Sequence, residues 1–270
     1  MMGSAYVATG QALEQEDENM TETITHPDSA DIPEPDIDHL ITEDDEPVDN
    51  LFSEKQQRLL TDAINVSWRP GRPFLAAANV GVFNTIHEQA VVPDVFLSLD
   101  VQVHENIWEK RNRSYMIWEF GKPPDVVIEV VSNQKGRELD EKLKRYERMR
   151  ALYYAVFDPQ RVIQKETLRI FELAVGEYIP KLDRNLPRVG LGLTLWEGVY
   201  EGCQAQWLRW CDDQGNLLAT GAESARMARQ QREAAEAQRE AAEVTLDKER
   251  QRADRLAEKL RSMGIDPEEA

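Results

Sequence analysis

Three residues stand out against their neighbours. Asp94 sits between Pro93 and Val95 in AVVPDVFLSL (90–99), Glu129 interrupts the apolar run from Val126 to Val131, and Lys142 follows on the next segment. An unpaired carboxylate inside an apolar strand costs several kcal/mol, so each acid must be partnered or used. Two hard oxygen ligands suit Mg²⁺ or Mn²⁺, which keeps several waters and leans on one or two carboxylates plus a substrate phosphate. A cation so held polarises a phosphate and acidifies a bound water. An amine beside it can take the water's proton or stabilise the charge that develops. Those are the parts needed to hydrolyse a phosphodiester.

The elements that must position them are legible around the second acid, in KPPDVVIEVVSNQKGRELDEKLKRYERMRALYYAVFDP (122–159). Pro123-Pro124 breaks whatever precedes it. The run from Val126 to Val131 is short and apolar enough for a strand covered on both faces. Leu139, Leu143, Tyr146 and Met149 then form one helical stripe, and Tyr153 to Phe157 gives a second strand that closes at Asp158-Pro159. Strand, helix, strand predicts a parallel crossover unit. At about 100° per residue, Lys142 falls on the side of Leu139, Tyr146 and Met149, whereas Lys144 falls near the opposite side. A structural ion pair between Glu129 and Lys142 is the plainer alternative to a site.

Elsewhere the pattern is coarser. Ser53 is expected to cap a helix containing Leu59, Leu60, Ala63 and Ile64, ending before Trp68. Phe74 to Phe83, Ala90 to Leu99 and Ser114 to Phe120 read as strands, with Pro93 marking an edge or bulge. Leu168 to Leu173 and Tyr178 to Leu182 read as a hairpin around Gly176-Glu177, and Leu193 to Trp196 and Trp207 to Trp210 as further strands. After Gly221 comes one polar helix with the heptads QREAAEA and QREAAEV in tandem, stopped by Gly264 and Pro267. Its mostly alanine seam buries little area, so it reads as a solvated helix or a weak arm for homo-oligomers.

The net charge of −18 has a local source. The first 50 positions hold 15 of the 50 acidic residues and no Lys or Arg, so the remainder carries 35 acids against 32 bases. The body is nearly neutral, and the acidic balance says nothing against a DNA substrate. The leader, with four prolines and few large apolar residues, is expected to be disordered. The division predicted is a disordered acidic tail over 1–50, a catalytic domain over 51–220 and a charged helical or coiled-coil tail over 221–270. No apolar run suits a signal peptide or a membrane span, which points to the cytoplasm and to no membrane partner. Cys203 and Cys211 make neither a zinc site nor a disulfide framework. The four histidines show no metal spacing, and there is no Walker A loop, nucleophile elbow or dinucleotide fingerprint.

Taken together, VVPDVFLSLD, WEFGKPPDVVIEVVS, and EKLKRY followed by LYYAVFDP resemble the Uma-type restriction endonuclease family within the PD-(D/E)XK nuclease superfamily. The similarity runs from about Val48 to Gly221. It implies a restriction-endonuclease-like α/β fold, a mixed central sheet flanked by helices. By resemblance Asp94 and Glu129 are catalytic and bind a divalent metal, Mg²⁺ or Mn²⁺, and Lys142 is the catalytic lysine. The superfamily lysine usually stands two places after the second acid, where this chain has Val131, whose backbone carbonyl is an expected third metal ligand. In the resembling family the lysine lies on the following helix, and Lys142 with Tyr146 matches that K-x-x-x-Y pattern. Asp100 and Glu119 are reserve ligands, and Asp125 reads as a strand-entry residue. Arg111, Arg113, Lys135, Arg137, Lys144 and Arg145 could follow a phosphate backbone. The implied activity is metal-dependent DNA endonuclease; the alternative is a silent nuclease fold that binds or assembles through its helical tail.

Overall fold

The computed structural model describes residues 36, 37, 39, 50–132 and 138–264. The chain divides between Asp36 and Ile37 into two units, and every described helix and strand lies in the second. The expected disorder over 1–50 therefore falls almost wholly outside the described residues, as do Lys135, Arg137 and Pro267.

The apolar runs assemble into one six-stranded mixed sheet. Its strands are β1 (Phe74–Ala78), β3 (Val95–Leu99), β5 (Val126–Val130), β6 (Tyr153–Phe157), β7 (Leu168–Ala174) and β8 (Glu177–Lys181), adjacent in that order. Only β5 and β6 pair in parallel within it, Val126 opposite Tyr153 through Val130 opposite Phe157, which is the crossover unit the sequence predicts. Both strands are buried along their whole length. A smaller sheet carries β9 (Asn185–Leu186), β10 (Leu191–Tyr200) and β11 (Cys203–Cys211), and β2 (Val82–Phe83) pairs with β4 (Tyr115–Met116).

Strand alternation divides the core in two. Val95, Leu97, Val126, Ile128 and Val130 face one side, where they meet Leu60, Ala63 and Ile64 of helix α1 (Leu51–Ser67) and Leu193, Leu208 and Trp210 of the smaller sheet. Phe96, Val127, Tyr154 and Val156 face the other, where Tyr146 and Met149 of helix α3 (Leu143–Met149) cover them. The fold is the mixed α/β arrangement expected, with a sheet covered on both faces.

Several boundaries differ for local reasons. Asn50, not Ser53, caps α1, its side chain accepting from the Ser53 N–H, and Ser53 is buried in the first turn. Phe74 to Phe83 is not one strand, because Asn79 takes φ 54° and breaks it. Ser114 to Phe120 is a two-residue strand followed by a helical turn, α2 (Ile117–Phe120), which Gly121 ends at φ 74°. The β7–β8 turn is Val175-Gly176, one residue earlier than expected, since Ala174 pairs with Glu177. The predicted helix across Leu139 and Met149 begins as a π-helix, Glu138–Lys142, before α3 takes over.

The long helix α4 (Gly221–Ser262) starts at a capping box made by Thr220 and Glu223. Arg209 of β11, itself buried, fixes that start with paired bonds of 2.9 and 2.6 Å to Glu223. Beyond that point α4 is largely exposed, including Leu246 and Leu256. No described helix is long and apolar enough to cross a membrane. Cys203 and Cys211 are free thiols.

Candidate active site

The register of two strands decides where the acids go. β3 and β5 are antiparallel with Val95 opposite Ile128, so one step further places Asp94 alongside Glu129. Glu129 then faces the side covered by α3, because it alternates with Ile128, which faces α1, while Asp94 sits one residue before β3 at the end of the sheet. Asp94 Oδ2 accepts from the Val130 N–H at 2.7 Å, tying the first acid to the strand that carries the second.

Glu129 is 1% exposed, and both of its oxygens accept hydrogen bonds. Lys142 Nζ donates to Oε2 at 2.8 Å and the Tyr146 hydroxyl to Oε1 at 2.6 Å. Burial pushes the Glu129 carboxyl up to about 8; Lys142 pulls the other way and Asp94 adds to the rise. Burial works against the Lys142 charge as well, but Glu129, with Asp94 and Glu138 behind it, outweighs this and holds the ammonium above its ordinary value. Lys142 therefore keeps its proton. Lys144, as the helical face predicts, is exposed.

Asp94 is oriented from α1. Gln57 Nε2 donates to Asp94 Oδ1 at 2.6 Å, while Asn79 Nδ2 donates to Gln57 Oε1 at 2.7 Å. The same Asn79 whose left-handed backbone ends β1 thus locks the amide that holds the acid. Sequence patterning does not single out Gln57. A signal is nevertheless present: with Leu60 and Ile64 it lies on the apolar face of α1.

Glu138 is a second residue that the sequence does not flag. It is 5% exposed, its carbonyl accepts from the Tyr154 hydroxyl at 2.7 Å, and its Oε2 is buried with no hydrogen-bond partner among the described residues. Burial raises its carboxyl; a hydrogen bond from its own backbone N–H and then Lys142 offset this, and Asp94 and Asp158 add to it. Its position four residues before Lys142 is the available clue.

The reserve residues lie elsewhere. Asp100 is exposed and pairs with Arg72 at 3.0 Å, Glu119 is exposed, and Asp125 accepts from the Leu99 N–H and from Lys122 at 2.7 and 2.5 Å. The last is the strand-entry role expected. Arg145 donates to the Gln89 carbonyl. His87 and His104 are exposed.

A divalent cation fits this donor set in a specific way. Each oxygen of Asp94 and Glu129 accepts one bond from protein, and a carboxylate offers about four lone-pair sites. Among the described residues no three His, Cys, Asp or Glu side chains gather to hold an ion. The site thus suits a cation that shares two carboxylates with water and phosphate, and does not form an all-protein cage.

The model of the Uma2 family, whose description reads "Putative restriction endonuclease", matches residues 43–195. The chain belongs to the Uma2 family. The match spans α1 through the first half of β10 and contains Gln57, Asp94, Glu129, Glu138, Lys142 and Tyr146. Membership accords with the PD-(D/E)XK nuclease superfamily and with a nuclease acting on DNA. Among curated proteins none matches the chain.

Proposed function

We propose that this Uma2 protein is an endonuclease that hydrolyses DNA phosphodiester bonds with the help of Mg²⁺ or Mn²⁺. The observation that carries the reading is the meeting of Asp94, Glu129 and Lys142 at one end of the β3–β5 pair. In this reading Asp94, Glu129 and the Val131 carbonyl hold the cation. When bound, it supplies a Lewis acid toward the phosphate and a more acidic water. Asp94 is kept in place by Gln57 and by the Val130 N–H, so its oxygens are directed before substrate arrives. Tyr146 keeps Glu129 turned toward the same point. Lys142, holding its proton, acts as a cation: it donates to the phosphate oxygens as charge builds on them. The water's oxygen bonds to phosphorus as the bond to the departing sugar oxygen breaks; the water's proton leaves to solvent and the departing oxygen takes a proton from solvent to become a hydroxyl. Residues 51–220 form the catalytic domain in this reading, with α4 as an arm for self-association.

A second reading is a nuclease fold that binds or assembles without cutting. What favours it is that Lys142 and Tyr146 already occupy both oxygens of Glu129. The test is cleavage of supercoiled and linear DNA by the purified full chain with Mg²⁺, with Mn²⁺ and with EDTA. Cutting that EDTA abolishes and Glu129→Gln eliminates supports the endonuclease. No cutting of any form with either metal supports the binding module.

A further inference from the structure

Glu138 poses a physical problem that its described neighbours do not answer. A carboxylate oxygen buried without a partner costs about 1–3 kcal/mol or more, and proteins keep few of them. Glu138 Oε2 is such an oxygen. Its backbone is fixed where the π-helix begins, the Tyr154 hydroxyl donating to the Glu138 carbonyl at 2.7 Å. Among the described residues the charges it meets are Lys142, which favours its ionised form, and Asp94 and Asp158, which oppose it. Asp158 needs no further partner, since the N–H groups of Val162, Ile163 and Gln164 all donate to it.

Lys142 poses the converse problem. Its ammonium rests on Glu129 Oε2, the acid that the endonuclease reading assigns to the cation. A divalent ion drawn to Glu129 meets that ammonium at close range, where like charges in a partly buried setting repel by several kcal/mol. The ammonium must then find another acceptor or be left exposed to the repulsion. Asp140 points to solvent, and Glu141, also exposed, is engaged in an interaction of its own. Glu138 lies four residues before Lys142 on a π-helix, where such a pair shares a face, and π-turns of this kind recur at functional sites.

We infer that Glu138 is the alternate acceptor of Lys142: when a cation takes Glu129, the ammonium passes to the vacant Glu138 Oε2, one turn away on the same helix. Glu138 is thus a positioning residue. It keeps the lysine charged and close to the phosphate while freeing Glu129 for the metal. The π-helix matters because it places Glu138 and Lys142 on the same side, above two strands that carry Asp94 and Glu129. The inference rests on the proposed cation site at Glu129.

The test is Mn²⁺ binding by calorimetry to the full chain, without DNA, as a double-mutant cycle over Glu138→Gln and Lys142→Met. Glu138→Gln is close to isosteric and removes a buried, unpartnered charge, so thermal melting of this variant should match wild type or exceed it. In the wild-type background it should weaken Mn²⁺ binding by at least about tenfold, the scale of a lost charged hydrogen bond. With Lys142→Met already present, there is no ammonium to relocate, and Glu138→Gln should then change binding less than about twofold. Equal weakening in both backgrounds would make Glu138 a direct ligand and overturn the handover. No weakening in either would also overturn it and leave the nuclease reading standing. A wild-type chain that binds no Mn²⁺ would overturn both.

Discussion

Lys142 Nζ stands 2.8 Å from Glu129 Oε2, joining the helix of a crossover to the C-terminal end of its first strand. The pair is unequal: Glu129 is 1% exposed at its side chain and Lys142 is 28% exposed. The ammonium therefore reaches in from a position with access to solvent, and the carboxylate is fixed inside. Asp94 is brought to that carboxylate by the β3–β5 register and held by Gln57 and the Val130 N–H, so the three groups meet through packing of strands and helices, not because they are near in sequence.

Breaking the pair from the lysine side should cost catalysis more than fold. Lys142→Met keeps the length and apolar stem but leaves no charge for the phosphate. DNA cleavage should fall by about 100-fold or more, with circular dichroism unchanged. Cleavage within about twofold of wild type would remove Lys142 from the chemistry.

Tyr146→Phe deletes one hydroxyl from a fully buried ring and leaves Glu129 Oε1 without its donor. The expected loss is about 1–3 kcal/mol in urea denaturation, the cost of a buried acceptor left unmade. A neutral change would mean that the hydroxyl contributes nothing to holding Glu129.

Gln57→Leu should uncouple the two properties that α1 supplies. The apolar replacement preserves packing against the core, but Asp94 Oδ1 loses its donor and Asn79 its partner. Cleavage is expected to drop by about tenfold or more while the melting temperature moves little. The opposite pattern, an unstable but fully active variant, would assign Gln57 to the core.

The buried acid also sets a pH dependence. Glu129 has its carboxyl raised from 4.5 to about 8, so the folded chain holds this proton where the unfolded chain has released it. Its contribution to stability is fully present below about 4.5 and is lost as pH rises through about 8. Glu129→Gln abolishes that titration. The melting temperature of wild type minus that of the variant should therefore decline as pH climbs through this window, then level off. A difference that grows with pH would contradict the raised carboxyl.

How much of the site is legible in sequence depends on the range of the interaction. Glu129 and Lys142 can be read because a strand and the helix after it carry their own periodicities, and the crossover forces them together. Lys142 is chosen over Lys144 by helical phase. Asp94 is legible as an acid out of place, but its alignment with Glu129 is a matter of register between strands far apart in sequence. Gln57 and Glu138 are harder: a polar residue on an apolar helix face looks like an interruption until its partner is known. The π-helix cannot be read, since one extra residue in a turn leaves the apolar stripe of Leu139, Leu143 and Tyr146 nearly intact. Ser114 to Phe120 misleads because its apolar residues suit a strand as well as a helical turn, and only Gly121 hints at the helix end.

The most direct measurement is anomalous diffraction from crystals of the full chain soaked in Mn²⁺. A cation site shared by the two acids predicts one dominant peak bounded by Asp94, Glu129 and the Val131 carbonyl, absent in Glu129→Gln crystals. A peak elsewhere, or none in wild-type crystals in which no lattice contact covers Asp94 and Lys142, would contradict it.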